Sequence, residues 1–393
     1  MALSQPSTSN RGALFAVVAL ILGSAVIQAA VGFNTVFFPV RLESYGLSKG
    51  LIGLCLAFEM GAVLAVVGSI DKILTRLGLL GTMAFATGLR VAMLLLLSTS
   101  KSLPLWCLGV FSFGIGTYLC LISLQTWVNG LPLGRLRSLV SGCYSSALSL
   151  GTASGPILFN RWGSTEGNQA FQANMVIVLV ALALVVPCIG QIPRMTNQGR
   201  LRLGYVIRMA KIPMVSSFVG GVTFFGLPAF LTLYGLMNGM SLKHASLLLT
   251  AFMLGSVTLG LAIASLSAYA NRTLITILCV LVGVVCAVYL PLGIYNYGIA
   301  LGLLFVWGGA AGGIYAMGLA TVGDLFRQED QVSANVAYSI LDNVGGIVGV
   351  LLIGLLMGAG IADGIVYVIV LSALSYFVYC LAQILYADSV SGC

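Results

Sequence analysis

Apolar residues run along this chain in long continuous blocks, and the gaps between blocks are short, polar and marked by Pro or Gly. Cutting at those gaps leaves apolar runs at 13–40, 49–70, 79–99, 103–131, 138–159, 171–191, 212–237, 243–267, 273–294, 298–322, 333–358 and 363–386. A bilayer core about 30 Å thick needs roughly 20 apolar residues per helix at about 1.5 Å rise each. The pattern therefore predicts twelve membrane-crossing helices, here called spans one to twelve. The apolar run after Arg11 continues to about Val40 without a cleavage pattern, so it reads as an uncleaved first span.

The longest polar connection, 193–211, carries five basic residues and divides the spans six and six. It predicts an N-terminal half over 1–192, a cytoplasmic basic linker over 193–211 and a C-terminal half over 212–393. The halves read as repeats, because a shift of 194 positions superposes Tyr144-Ser145, Gly151 and Gly155 on Tyr338-Ser339, Gly345 and Gly349. The same shift lays Ala57-Phe58 and Gly61 on Ala251-Phe252 and Gly255. Parallel six-helix repeats with a substrate cavity at their interface are a transporter architecture.

Composition narrows the class. Hydrophobic residues make up 59% of the chain and charged residues 7%, where a soluble domain carries roughly a quarter charged, so a soluble fold is excluded. The net charge of +8 comes from basic residues scattered one or two per loop, which argues for topology and against nucleic acid. With the N-terminus cytoplasmic, twelve Lys and Arg fall inside (Arg11, Lys72, Arg76, Arg135, Arg137, Arg194, Arg200, Arg202, Arg208, Lys211, Arg272, Arg327) and five outside (Arg41, Lys49, Lys101, Arg161, Lys243). This bias predicts that both termini are cytoplasmic. The nine cysteines lie mostly within apolar runs and lack zinc-site spacing, so they read as packing residues. There is no nucleotide-binding loop, metal-ligand cluster or nucleophile constellation, and the lone histidine, His244, sits in an outer loop. No cofactor, metal or enzymatic activity is expected.

The stretch 113–156 and the tenth span carry a resemblance. Gln125-Thr126-Trp127-Val128-Asn129 is followed by Arg135 and Arg137 and then by Gly151 to Pro156, while span ten runs from Gly312-Gly313-Ile314-Tyr315 to Gly323-Asp324-Leu325-Phe326. In these motifs the whole chain resembles the major facilitator superfamily, and within it a YcaD-like bacterial branch. That resemblance implies an all-α membrane protein with the superfamily fold: twelve transmembrane helices in two pseudo-symmetric six-helix halves. Gln125 stands where the branch has an acidic residue, so the titrating group is expected elsewhere. The superfamily's loop motif after span two corresponds to Gly68, Asp71, Lys72, Arg76 and Gly78, one residue short in its glycine spacing. The role this implies for Asp71 and Arg76 is a cytoplasmic latch that holds one conformation.

Charges at membrane depth are costly and default to functional candidates. Glu59 in span two and Arg90 in span three are expected at similar depth, as an ion pair that either pins two helices or titrates during transport. Asp342, beside Asn343 in span eleven, lies at the repeat position of Leu148 and reads as a proton or substrate-cation site. Gln28, Asn34, Tyr118, Gln125, Phe224, Phe225 and Tyr315 occupy spans one, four, seven and ten, where they either pack helices or line a central cavity, and Arg90 and Asn343 are further cavity candidates. Gly151, Gly155, Gly345 and Gly349 permit close helix contact, and Pro156 removes a backbone donor.

The expected function is secondary transport of a small molecule across the inner membrane by alternating access, proton-coupled, acting as a monomer in the lipid bilayer. Export is set ahead of uptake by the partial fifth-span signature. The alternatives are a proton-coupled importer of a nutrient or metal-chelating metabolite, and a receptor or scaffold that transports nothing.

Overall fold

A computed structural model describes residues 10–131, 137–163, 167–192, 203–266, 271–326 and 328–391. Spans one to six are α1 (Asn10–Ser44), α2 (Lys49–Val66), α3 (Ile70–Thr99), α4 (Leu103–Gly130), α5 (Arg137–Trp162) and α6 (Gln169–Val185). A short α7 (Leu203–Met209) precedes span seven, in which α8 (Lys211–Gly221) and α9 (Leu227–Met237) are joined by a π-helical turn, Val222–Gly226. Spans eight to twelve are α10 (Leu242–Ser265), α11 (Arg272–Gly293), α12 (Tyr297–Leu325), α13 (Gln328–Gly358) and α14 (Gly364–Ser391). Most of the expected linker, 193–202 with Arg194, Arg200 and Arg202, lies outside the described residues, as do Arg135 and Arg327.

Ten helical stretches of the described residues are long and apolar enough to cross a membrane. One of them, Lys49–Thr99, holds two spans, because the chain turns through Val67–Ser69 and breaks again at Gly78, whose φ of 68° favours glycine. The glycine- and serine-rich α5 is outside the ten but runs 26 residues, and with it the helices match the twelve expected spans.

The internal duplication is written into the hydrogen bonds. Tyr144 donates its hydroxyl to the Leu121 carbonyl (3.5 Å), and Tyr338, 194 positions on, donates to the Tyr315 carbonyl (3.4 Å). Spans one and seven end alike. Gly46 and Gly239 take φ near 80°, Leu47 and Met240 donate back to the carbonyls of Leu42 and Gly235, and Ser48 and Ser241 cap the next helix. This corner repeats at 193 positions rather than 194. The helices that follow keep the one-residue difference: a Cβ at Gly114 would lie 2.7 Å from the Glu59 carbonyl oxygen, while Gly308 meets the Phe252 backbone. The expected match of Gly61 with Gly255 therefore fails, since Gly61 has open space around it and Gly255 abuts the Phe305 backbone.

Glycines set the spacing within each half. On α5, Gly151 faces the backbone of Ala25 and Gly155 that of Gly32-Phe33; on α13, Gly345 faces Phe218 and Gly349 faces Val222. These contacts hold span five to span one and span eleven to span seven. This face of each helix is turned into its own half. Pro156 is buried in α5 beside Gly155.

Candidate functional site

The two halves share one apolar core at the end of the bundle away from the termini, where Phe33, Phe37, Phe113 and Phe159 join Phe230, Phe252, Val350 and Ile353. Toward the termini the apolar core splits. One cluster there belongs to the first half, with Leu119, Leu124 and Trp127, and two belong to the second, around Ile314 and Tyr376 and around Val206 and Tyr338. The halves are thus sealed at one end and packed separately at the other.

Polar and small residues make the seal. Asn160 on α5 donates to the Lys243 carbonyl (3.2 Å), Ser246 on α10 donates back to Asn160 Oδ1 (3.1 Å), and Thr250 donates to the Ala153 carbonyl (2.9 Å). Across from them α2 and α13 touch through glycine: a Cβ at Gly53 would lie 3.2 Å from the Gly354 Cα, with the Phe230 ring against both.

Below the seal stands Glu59, ten residues into α2 and so about 15 Å from its end. Its side chain is half-buried. Tyr315 on α12 is 42% exposed. Asp342 lies sixteen residues from the end of α13, about 24 Å in. Its carboxylate, within electrostatic reach of Tyr315 and Tyr338, makes no hydrogen bond or ion pair with a described residue. Its backbone abuts Gly221 on α8, next to the π-helical turn that carries Phe224 and Phe225. Those two half-buried rings meet edge to face at 5.8 Å, and Phe225 packs on Gly346 of α13. Asn343 donates to the Ser339 carbonyl (2.8 Å). Gln28 and Tyr118 are half-buried and Gln125 is exposed.

The expected Glu59–Arg90 ion pair does not form; among the described residues the ion pairs are Lys49–Glu43 and Arg272–Asp324. Helix α4 explains why. Glu59 packs at Gly114, and a Cβ at Gly116 would lie 2.6 Å from the Arg90 Cγ. Residues two apart point to nearly opposite sides of a helix, so α4 stands between the two side chains. Arg90 is fully buried, its guanidinium carbon is 4.5 Å from the Phe113 ring centroid, and its Nε and Nη2 have no hydrogen-bond partner. Arg90 is therefore not a cavity residue. Its niche has a counterpart in the second half, a small cavity lined by Val280, Val284, Trp307, Ala310, Ala311 and Ile314, where the first half has Ala86, Arg90, Phe113, Gly116, Thr117 and Cys120.

Asn34 also leaves the cavity: it accepts from Asn174 on α6, buried at the span one to span six contact. The latch residues Asp71, Lys72 and Arg76 are exposed and make no ion pair with a described residue, while Gly68 sits in the turn after α2.

The comparisons with known proteins agree with this architecture. No family model matches the chain. YfkF of Bacillus subtilis (strain 168), an uncharacterised MFS-type transporter, is 23% identical over 257 residues, or 63% of this chain, and the match spans 65% of that relative's own length. The nucleoside transporter NupG superposes with a TM-score of 0.76 at 12% identity, over 93% of this chain and 98% of its own. A bacterial homologue of the human lysosomal transporter Spinster, solved inward-facing and unoccupied, gives a TM-score of 0.74 at 12% identity, over 94% of this chain and 96% of its own. The chain shares the fold of these solved transporters.

These relatives are transporters, not enzymes. Within this fold the residues missed from sequence are those of the seal. Gly354-x-x-x-Gly358 has the same small-residue spacing as Gly345-x-x-x-Gly349 and could have been flagged. Asn160, Ser246 and Thr250 carry no periodic signal. Arg90→Met is expected to leave stability within about 1 kcal/mol of the parent, because a buried guanidinium with two nitrogens left without a hydrogen-bond partner recovers little of its desolvation cost. A loss of about 3–5 kcal/mol in thermal unfolding, typical of a broken buried pair, would return Glu59 as its partner.

Proposed function

We propose that the protein is a secondary transporter that moves a small molecule across the plasma membrane by alternating access, coupled to protons. The observation that carries this reading is the pair of carboxylates, Glu59 and Asp342, below a seal between two halves, with neither committed to an ion pair. Free carboxylates at membrane depth can bind and release a proton as the cavity changes sides. The basic-residue bias puts the termini in the cytoplasm, and the seal then faces outward. On this reading the structure is the inward-open state, with the Asp71 and Arg76 latch disengaged. Placement in the YcaD-like branch rests on the residues of spans four, five and ten.

The Gly151-x-x-x-Gly155-Pro156 run favours export over uptake of a nutrient or metal-chelating metabolite. Purified protein in liposomes with an imposed proton gradient tests all of this. Candidate substrates should accumulate on the side that sets the direction, and Glu59→Gln or Asp342→Asn should remove the dependence on the gradient. Unimpaired proton-driven transport in both variants overturns the coupling assignment, and ligand binding without any flux replaces the transporter with a receptor.

A further inference from the structure

We infer that the cavity selects organic cations, taking a protonated or quaternary amine with aromatic or aliphatic bulk; this rests on the transporter reading above. Glu59, Arg90 and Asp342 are the charges carried at membrane depth, and from sequence they specify no ligand charge. The fold separates them. Arg90 has no exposed surface, and α4 stands between it and Glu59, so a ligand cannot reach its guanidinium. Glu59 is partly accessible, and Asp342 is 8% exposed with an unpartnered carboxylate. A chain with a net charge of +8 thus presents its substrate with two negative groups, about 9 Å apart in depth along spans two and eleven.

The walls suit a cation as well. Tyr315 is deep yet open beside Asp342, and Phe224 and Phe225 are fixed edge to face by the π-helical turn one helix away. Aromatic faces attract cations, more strongly when both are desolvated. An anion entering the same space would meet two like charges, and the arginine described at their depth, Arg90, is buried away from them. The position of Leu148, the first-half counterpart of Asp342, shows that the acidic group is not a general demand of the duplicated helix. A cation bound between the halves, against the second, accounts for it.

Tetraphenylphosphonium and tetraphenylborate have matching size and shape and opposite charge, so they isolate the sign of the site. Titration calorimetry on detergent-purified protein should show the phosphonium bound at least about tenfold tighter than the borate, a difference of about 1.4 kcal/mol. Asp342→Asn should weaken phosphonium binding about tenfold or more, Asp342→Glu should restore much of it, and Glu59→Gln should give a smaller loss. Equal affinity for the two ions, tighter borate binding, or phosphonium binding unchanged in both charge-removing variants would overturn the inference. If Asp342→Asn fails to purify as a single species, Asp342→Leu, which puts there the residue of the first-half counterpart Leu148, removes the charge in its place. Proton-driven flux of a neutral or anionic compound, with no preference for the phosphonium, would sink the charge selection and leave the transporter standing. Phosphonium selectivity without flux of any tested cation would do the reverse.

Discussion

Gly345→Val is expected to prevent the second half from assembling. A Cβ there would lie 2.8 Å from the Phe218 carbonyl carbon and 3.1 Å from its Cα, and both atoms are backbone in a neighbouring helix. A side chain could rotate out of the way; a helix axis cannot shift without undoing the Gly349 contact with Val222 one turn further along. Overpacking a core costs about 1–3 kcal/mol when neighbours can adjust and more when they cannot, against a total of about 5–15 kcal/mol for a native protein. Size-exclusion chromatography with fluorescence detection should show aggregated or absent Gly345→Val protein. Gly302→Val is the control, since nothing lies within 4 Å of a Cβ at that exposed position, and it should stay within about 1 kcal/mol of the parent, the β-branched helix penalty included. Equal yields and melting temperatures for the two variants would mean that α8 and α13 are not packed backbone to backbone.

Joining the halves at the seal is expected to stop transport altogether. Asn160 and Ser246 exchange a hydrogen bond of 3.1 Å between α5 and α10, so thiols placed there fall within reach of a short bifunctional thiol reagent. Asn160→Cys with Ser246→Cys, in a background where the exposed Cys143 is replaced, should lose transport to the level of empty liposomes once linked. Each single variant treated alike should keep its activity. If the seal has to open once per cycle, a covalent bridge across it leaves a protein that binds from one side only. Linked protein that still transports at the parent rate would show that the two helices do not part, and the alternating-access reading would go with it.

Much of this molecule was legible before its coordinates. Spans two and three were separable because Gly68 to Gly78 interrupts an otherwise continuous helix, and Gly78 does break it with a positive φ. Tyr144 and Tyr338, matched at 194 positions, turn out to make the same hydrogen bond. The π-helical turn was not legible, because Val222–Gly226 reads as ordinary apolar helix and the extra residue in the turn has no composition of its own. Asn34 looked like a cavity residue by its place in span one. Its direction around the helix, toward Asn174, was fixed by which neighbour α1 packs against.

The sequence by itself determined the membrane class, the twelve spans, the six-and-six division and the glycine pairs, because each follows from local hydropathy or from a repeat along one chain. Only the tertiary structure decided which charges face the cavity. Glu59 and Arg90 sit at matching depth in neighbouring spans, and pairing them is the economical expectation in one dimension. Gly114 and Gly116 point to opposite sides of α4 and put a helix between the two. Burial direction is a property of how helices pack, and so the arginine ends sealed under Phe113 while the carboxylate is left open.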